Sequence, residues 1–343
     1  MAPPKAKDRT VKLLPVDWHG DKPPPPPDWL IKGIIVKQGI GILSGRWGTG
    51  KTYVGVDAAL SVVTGADFAG KPVKEKCGVL YLAYERGHTI LRRFDTAIKA
   101  RGQSSKKLPF GVMRKNLPKL LDAGAYETLE ATVRAHKLEM QRSHGVRLGL
   151  IVIDTLMVAA GWENENNNAV QVLRRLSERV GIFVLAIDHH GKDPTRGARG
   201  GSDKGSSTDL VIDLTLDRAA SGKMVISKVS EGAEDKFGFE LKLHEIGKDE
   251  DGEPITERSV EWTSARKEKL PKTLAKAIAS TGAKTIDGRE MRLKSDVRNA
   301  FKKASGKKSG TFRQAWSREL TAALKSGSLV EFEHEEEVHL IAP

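Results

Sequence analysis

The sequence predicts an α/β protein with a mostly parallel sheet, followed by a small, basic C-terminal α+β domain. Three observations predict it. Near-continuous apolar runs alternate with helical patterns over the first two thirds of the chain, as in parallel sheets covered on both faces. A glycine-rich turn joins the first strong strand to the first helix. Residues 266–325 carry 17 basic and 5 acidic side chains, against a whole-chain excess of 57 Lys+Arg over 44 Asp+Glu and a net charge of +13.

Length and composition bound the alternatives. The 343 residues are long enough for about two domains, and 39% hydrophobic content excludes a wholly disordered chain. The single cysteine, Cys77, fits a reducing compartment. No apolar run approaches the ~18–20 residues of a membrane span, and the basic N-terminus lacks the apolar stretch of a signal peptide. The expectation is a cytoplasmic protein, with no membrane partner and a bias toward anionic ones.

Residues 1–27 are rich in Pro and Lys and end in Pro23 to Pro27, which favours extended polyproline II and reads as a tail. The α/β core is expected over 28–245. Its strands are Gly39 to Ser44, Val79 to Ala83, Leu148 to Ile153 and Ile182 to Ile187, with helices over 51–63, 89–101, 123–142 and 169–180. Strands near 210–216, 223–229 and 237–243, with no helices between them, suggest an antiparallel edge. The polar stretch 246–268 reads as a linker. Residues 269–343 read as three helices and a hairpin, a winged-helix-like DNA-binding domain; a helical oligomerisation or lid domain is the alternative. The density of positive charge suits a phosphate-backbone binder, although a solvated helical surface would look similar.

Gly45-Arg46-Trp47-Gly48-Thr49-Gly50-Lys51-Thr52 fits the phosphate-loop pattern G-x-x-x-x-G-K-[ST] completely. Backbone N–H groups of Gly45, Gly48, Thr49 and Gly50 would turn around a phosphate chain at a helix N-terminus. Lys51 would reach the β/γ-phosphates of ATP and Thr52 would ligate Mg²⁺, with Tyr53 completing the cofactor-binding set. Asp154, at the end of an apolar strand, is the second candidate metal ligand; an N-cap role is the alternative. The following residue is Thr155 rather than the Glu that many P-loop ATPases carry there. Glu85, just after the second strand, is therefore the candidate base, unless it is only a solvated loop charge.

These motifs, together with Trp29-Leu30-Ile31, His189-His190-Gly191-Lys192 and Ala198-Arg199-Gly200, resemble the RepA-type hexameric helicases, which are RecA-like ATPases of plasmids, phages and mobile elements. The likeness covers about residues 28–245. It implies a RecA-like core, a homo-oligomeric and hexameric ring, ATP between subunits, and a glutamate base at Glu85. It implies a γ-phosphate sensor at His190; His189 is expected to pack or to support the contacting residues from behind. It also implies that the loop after the sensor grips single-stranded DNA, with Lys192, Arg196, Arg199 and Lys204 as candidate contacts. The match weakens at the trans-acting arginine, since 209–213 holds none; Arg199 and Lys228 are the candidates. Arg313, Arg318 and Lys325 lie on the expected recognition helix. The reading is a ring-forming DNA helicase or translocase, with a non-translocating ATP-dependent DNA-binding protein (a helicase loader, recombination mediator or replication regulator) as the alternative. A third reading is a DNA-binding regulator whose ATPase only controls assembly.

Overall fold

A computed structural model of the chain describes Val16, Trp18 and residues 25–103, 107–161, 167–189, 207–217, 220–263, 272–286, 289–306, 309–325, 330–334 and 337–341. The N-terminal tail up to residue 24, those two residues apart, lies outside this set. So do His190, Lys192, Arg196, Arg199 and Lys204. The chain divides into two compact units, the first within Met1–Leu216, Met224–Asp235 and Leu241–Val260, the second within Asp217–Lys223, Lys236–Glu240 and Glu261–Pro343.

The first unit opens with a short hairpin, β1 (Trp29–Ile31) and β2 (Ile35–Val36). The phosphate-loop strand β3 (Gly39–Gly45) leads into α1 (Lys51–Thr64). Then follow β4 (Gly78–Ala83), α2 (Ile90–Ala100), β5 (Phe110–Met113), α3 (Ala125–His144), β6 (Leu148–Asp154), α4 (Leu156–Ala160), α5 (Asn167–Val180) and β7 (Phe183–His189). Next come β8 (Leu210–Leu216), β9 (Ser221–Val229), β10 (Asp235–Lys248) and β11 (Pro254–Thr263). The sheet order is β11-β10-β9-β8-β3-β7-β6-β4-β5. The six strands from β8 to β5 are mutually parallel.

The apolar runs follow from this placement. β4 and β6 are buried at every position, and β7 at all but its last. Both faces of each meet helices, so alternation would leave polar groups in the core. On one side Leu82, Ile151, Ile153, Val184 and Ala186 pack with Leu129 and Val133 of α3 and Leu173 and Leu176 of α5. Helix α1 is buried along nearly its whole length, which explains its all-round apolar sequence.

Two expectations are corrected here. The sequence puts β8 in an antiparallel edge, yet it runs parallel to β3, with Gly41 opposite Leu210. The stretch 246–268 reads as a linker, yet it contains the end of β10 and the whole of β11. Between these strands the Gly252 N–H donates to Asp249 O (3.1 Å) and the Asp249 N–H to Glu253 O (3.0 Å). Strands joined by so short a turn run antiparallel.

The C-terminal elements are α6 (Lys272–Ala279), β12 (Lys284–Ile286), β13 (Arg289–Leu293), α7 (Lys294–Ser305), α8 (Ser309–Lys325), β14 (Val330–His334) and β15 (Glu337–Ile341). The three helices and the final hairpin fall where the sequence places them, and the β12–β13 hairpin is an addition. The sheet order is β12-β13-β15-β14. Phe301 is fully buried between Phe312 and Trp316, and Leu274, Val297 and Leu340 complete that core. No described helix is long and apolar enough to cross a membrane.

Candidate nucleotide site

The phosphate loop sits at the C-terminal end of β3, the central strand of the nine-stranded sheet. Only glycine fits at Gly45, because a Cβ there would lie 2.6 Å from Thr49 Oγ1 and 2.8 Å from Leu214 O. Gly50 caps α1 with φ at +84°, a left-handed backbone that side chains resist. Thr49 Oγ1 donates to Arg46 O (2.8 Å) and closes the turn. The Lys51 ammonium is buried and donates to Gly45 O (2.9 Å) and Arg46 O (2.7 Å). Burial lowers its pKa from 10.5 to about 8, although Asp154, Asp188 and Glu85 pull the other way.

Asp154 ends β6 and is 3% exposed. Its Oδ2 accepts the Tyr81 hydroxyl (2.7 Å), and the Thr52 hydroxyl bonds the same carboxylate. Burial raises the Asp154 pKa despite those two donors. A buried carboxylate beside a hydroxyl is a hard-oxygen pair that suits Mg²⁺. Among the described residues no cluster of three or more His, Cys, Asp or Glu could hold a metal alone. Thr52 and Asp154 therefore fit an ion whose remaining ligands are phosphate oxygens and water.

Glu85 follows β4, one strand from β6. The N–H groups of Tyr84 and Glu85 both donate to Asp154 O (2.7 and 3.0 Å). Thr155 Oγ1 donates to Glu85 Oε1 (3.0 Å). The threonine that follows Asp154 thus holds the Glu85 carboxylate in place.

Lys51, Thr52, Tyr53, Glu85 and Asp154 line one cleft of about 230 Å³ together with Gly48, Thr49 and Gly50. Residues not assigned to a site from sequence also line it: Trp47, Arg86, Arg93, Thr155, His189 and, from the edge strands, Leu241 and Arg258. His189, expected to pack or to support the site from behind, ends β7 opposite Gly45. Its ring lies 5.9 Å from that of Trp47, and burial and the Lys51 charge hold its pKa below the usual imidazole value. The Arg93 guanidinium is stacked 4.8 Å over the Tyr53 ring. Lys228, on β9, does not line this cleft. Arg313 and Arg318 are exposed on α8, and the Lys325 side chain lies outside the described residues.

A family model described as AAA domain matches residues 7–195, more than half of the chain. The chain belongs to that family. It is an AAA-type P-loop ATPase domain, and use of a nucleotide comes with that membership. The α/β ATPase-domain fold expected from the sequence is present, with a large mixed sheet and flanking helices. Among solved structures, one titled as an ATPase domain is similar at 11% identity and a TM-score of 0.44, over 60% of this chain and 82% of that one. A second, titled "The Structure Of A DnaB-Like Replicative Helicase And Its Interactions With Primase", is similar at 12% identity and a TM-score of 0.44. That likeness covers 60% of this chain and 57% of the other. No curated protein matches the sequence.

Proposed function

We propose that this chain is an ATP-hydrolysing, ring-forming DNA helicase or translocase of the RepA kind, acting in replication of a mobile element or phage. The observation that carries the reading is the convergence of Lys51, Thr52, Asp154 and Glu85 on one cleft at the mouth of the parallel strands. The loop N–H groups cradle the α- and β-phosphates, and Lys51 reaches the β- and γ-phosphates. Thr52 and Asp154 hold Mg²⁺, which neutralises phosphate charge when bound. Glu85, oriented by Thr155, takes a proton from the attacking water. The water oxygen bonds to the γ-phosphorus as the bond to the ADP oxygen breaks, giving ADP and phosphate. In the resemblance, His190 senses the γ-phosphate, while Lys192, Arg196, Arg199 and Lys204 grip single-stranded DNA, and Arg199 or Lys228 acts on the neighbouring subunit's site.

The C-terminal helices and hairpin support a winged-helix reading, with Arg313, Arg318 and Lys325 of α8 toward duplex DNA. β13 pairs with β15, so the hairpin closes onto the strand that precedes α7.

A second reading, a non-translocating ATP-dependent switch, is favoured by β8 and the residue before it. There Asp209 Oδ2 accepts the Ile40 N–H (2.8 Å) and Asp213 bonds Ser44 and Ser227, so these positions tie the sheet together and offer no arginine. The deciding experiment is steady-state ATP hydrolysis with Mg²⁺, with and without single-stranded DNA, at two salt concentrations. Strong stimulation that fades with salt supports the motor. Hydrolysis indifferent to single strands, with duplex binding retained, supports the switch.

A further inference from the structure

The cleft continues past the residues that the phosphate-loop motif explains. A nucleotide with its β- and γ-phosphates at Lys51 and Thr52 leaves the loop past Tyr53, because the loop N–H groups cradle the α- and β-phosphates where α1 begins. The walls there are Leu241 of β10 and Arg258 of β11. Both belong to edge strands that the phosphate-loop motif does not include.

This wall is built rather than incidental. Leu241 is 6% exposed and lies against the loop, since a Cβ on Gly50 would be 3.0 Å from its Cδ1. Glu257, 5% exposed, accepts three hydrogen bonds: the Tyr53 hydroxyl (2.8 Å), Arg92 Nε (3.1 Å) and the N–H of Arg258 (3.1 Å). It therefore pins β11 to α1 and α2 just where Arg258 meets the cleft. Burial pushes the Glu257 carboxyl up, but these donors more than offset it and leave its pKa lowered. Replacing such a buried, fully used acceptor disturbs position as well as charge.

An apolar side chain and a planar cation at this place suit a flat aromatic base. Stacked on the base face, neither side chain meets the base edge that tells adenine from guanine. We propose that Leu241 and Arg258 form the base-binding wall of the cleft, with Glu257 as a positioning residue, and that the wall prefers purine to pyrimidine nucleotides without separating ATP from GTP. This inference rests on the nucleotide reading above.

The test is equilibrium binding of ATP, GTP, CTP and inorganic tripolyphosphate to the full-length protein and its variants, with melting curves to confirm folding. The wild type is expected to bind ATP and GTP within about threefold of each other and CTP about tenfold more weakly. Arg258→Ala should weaken ATP and GTP about tenfold and leave tripolyphosphate unchanged. Glu257→Ala should lower the same ATP-to-tripolyphosphate ratio, and Glu257→Gln, which keeps an acceptor for Tyr53, should restore most of it. Equal loss of ATP and tripolyphosphate in Arg258→Ala would make Arg258 a phosphate contact and overturn the proposal. So would unchanged ATP affinity, or a wild type selective for one purine. A Lys51→Ala protein that binds all four ligands like the wild type would instead overturn the nucleotide reading itself.

Discussion

Thr155 Oγ1 donates a hydrogen bond to Glu85 Oε1 at 3.0 Å, across the tips of two neighbouring strands. A positioned carboxylate base contributes roughly 10²–10⁴-fold to hydrolysis. Glu85→Gln should therefore cut kcat by about that factor while ATP binding persists. Thr155→Val should cost about tenfold in kcat, and Thr155→Ser should recover most of it. Steady-state hydrolysis alongside nucleotide binding checks both; a Thr155→Val protein with wild-type kcat removes the threonine from the account.

Lys51 predicts a proton signature. Its pKa of about 8 in the nucleotide-free protein must rise when anionic phosphates arrive. At a pH of about 8.5, ATP binding should take up at most about three quarters of a proton, measurable by calorimetry in buffers of different ionisation enthalpy, and Lys51→Met should abolish the uptake. The same burial costs stability below about pH 8, because the unfolded lysine (10.5) holds its proton more tightly. That cost is relieved as pH rises from about 8 toward 10.5, so the wild type should gain stability relative to Lys51→Met across this window. Urea midpoints that move together in the two proteins count against it.

Trp47 is 75% exposed at the loop tip, beside His189 and the Arg86 guanidinium. Its fluorescence should change when ATP enters the cleft. The change should vanish in Trp47→Phe even though five other tryptophans remain. A signal that survives the substitution assigns it elsewhere.

Arg313 and Arg318 are exposed on α8. If they contact phosphates, each alanine variant should weaken DNA binding in all sequences and lower the salt slope of log K by about 1. Titrations over a series of salt concentrations measure that slope. A slope equal to that of the wild type in the double variant rules the helix out as a backbone contact.

Phe301 is completely buried between Phe312 and Trp316. Phe301→Ala should destabilise the C-terminal elements by about 3–5 kcal/mol, and hydrogen exchange in α7 and α8 should report it. ATP hydrolysis gives a separate readout of the cleft in the same protein.

Much of the architecture is legible in the order of residues because it depends on local rules. The phosphate loop needs glycine at Gly45 and Gly50 for steric and dihedral reasons, and Asp154 follows an apolar run that has to end somewhere polar. Other parts depend on partners far away in sequence. Nothing near Leu241 or Arg258 announces a cleft, because their relation to Gly50 and Tyr53 exists only after β10 and β11 join the sheet. The β10–β11 hairpin does carry a signal, Asp251-Gly252 between two alternating strands. Its heavy charge, which belongs to an exposed face, makes it resemble a linker. His189 reads as a packing or supporting residue because the resemblance directs attention one residue on. The register opposite Gly45 is what brings it to the loop.

The backbone tie between Asp154 O and the N–H groups of Tyr84 and Glu85 has a consequence for timing. Two main-chain bonds join the backbones that carry Asp154 and Glu85, so on the reading proposed above the candidate metal ligand and the candidate base should keep their spacing through a cycle. On that reading a signal that phosphate has left starts outside this frame, at the end of β7, where His189 meets Trp47 and precedes His190, the sensor that the resemblance implies.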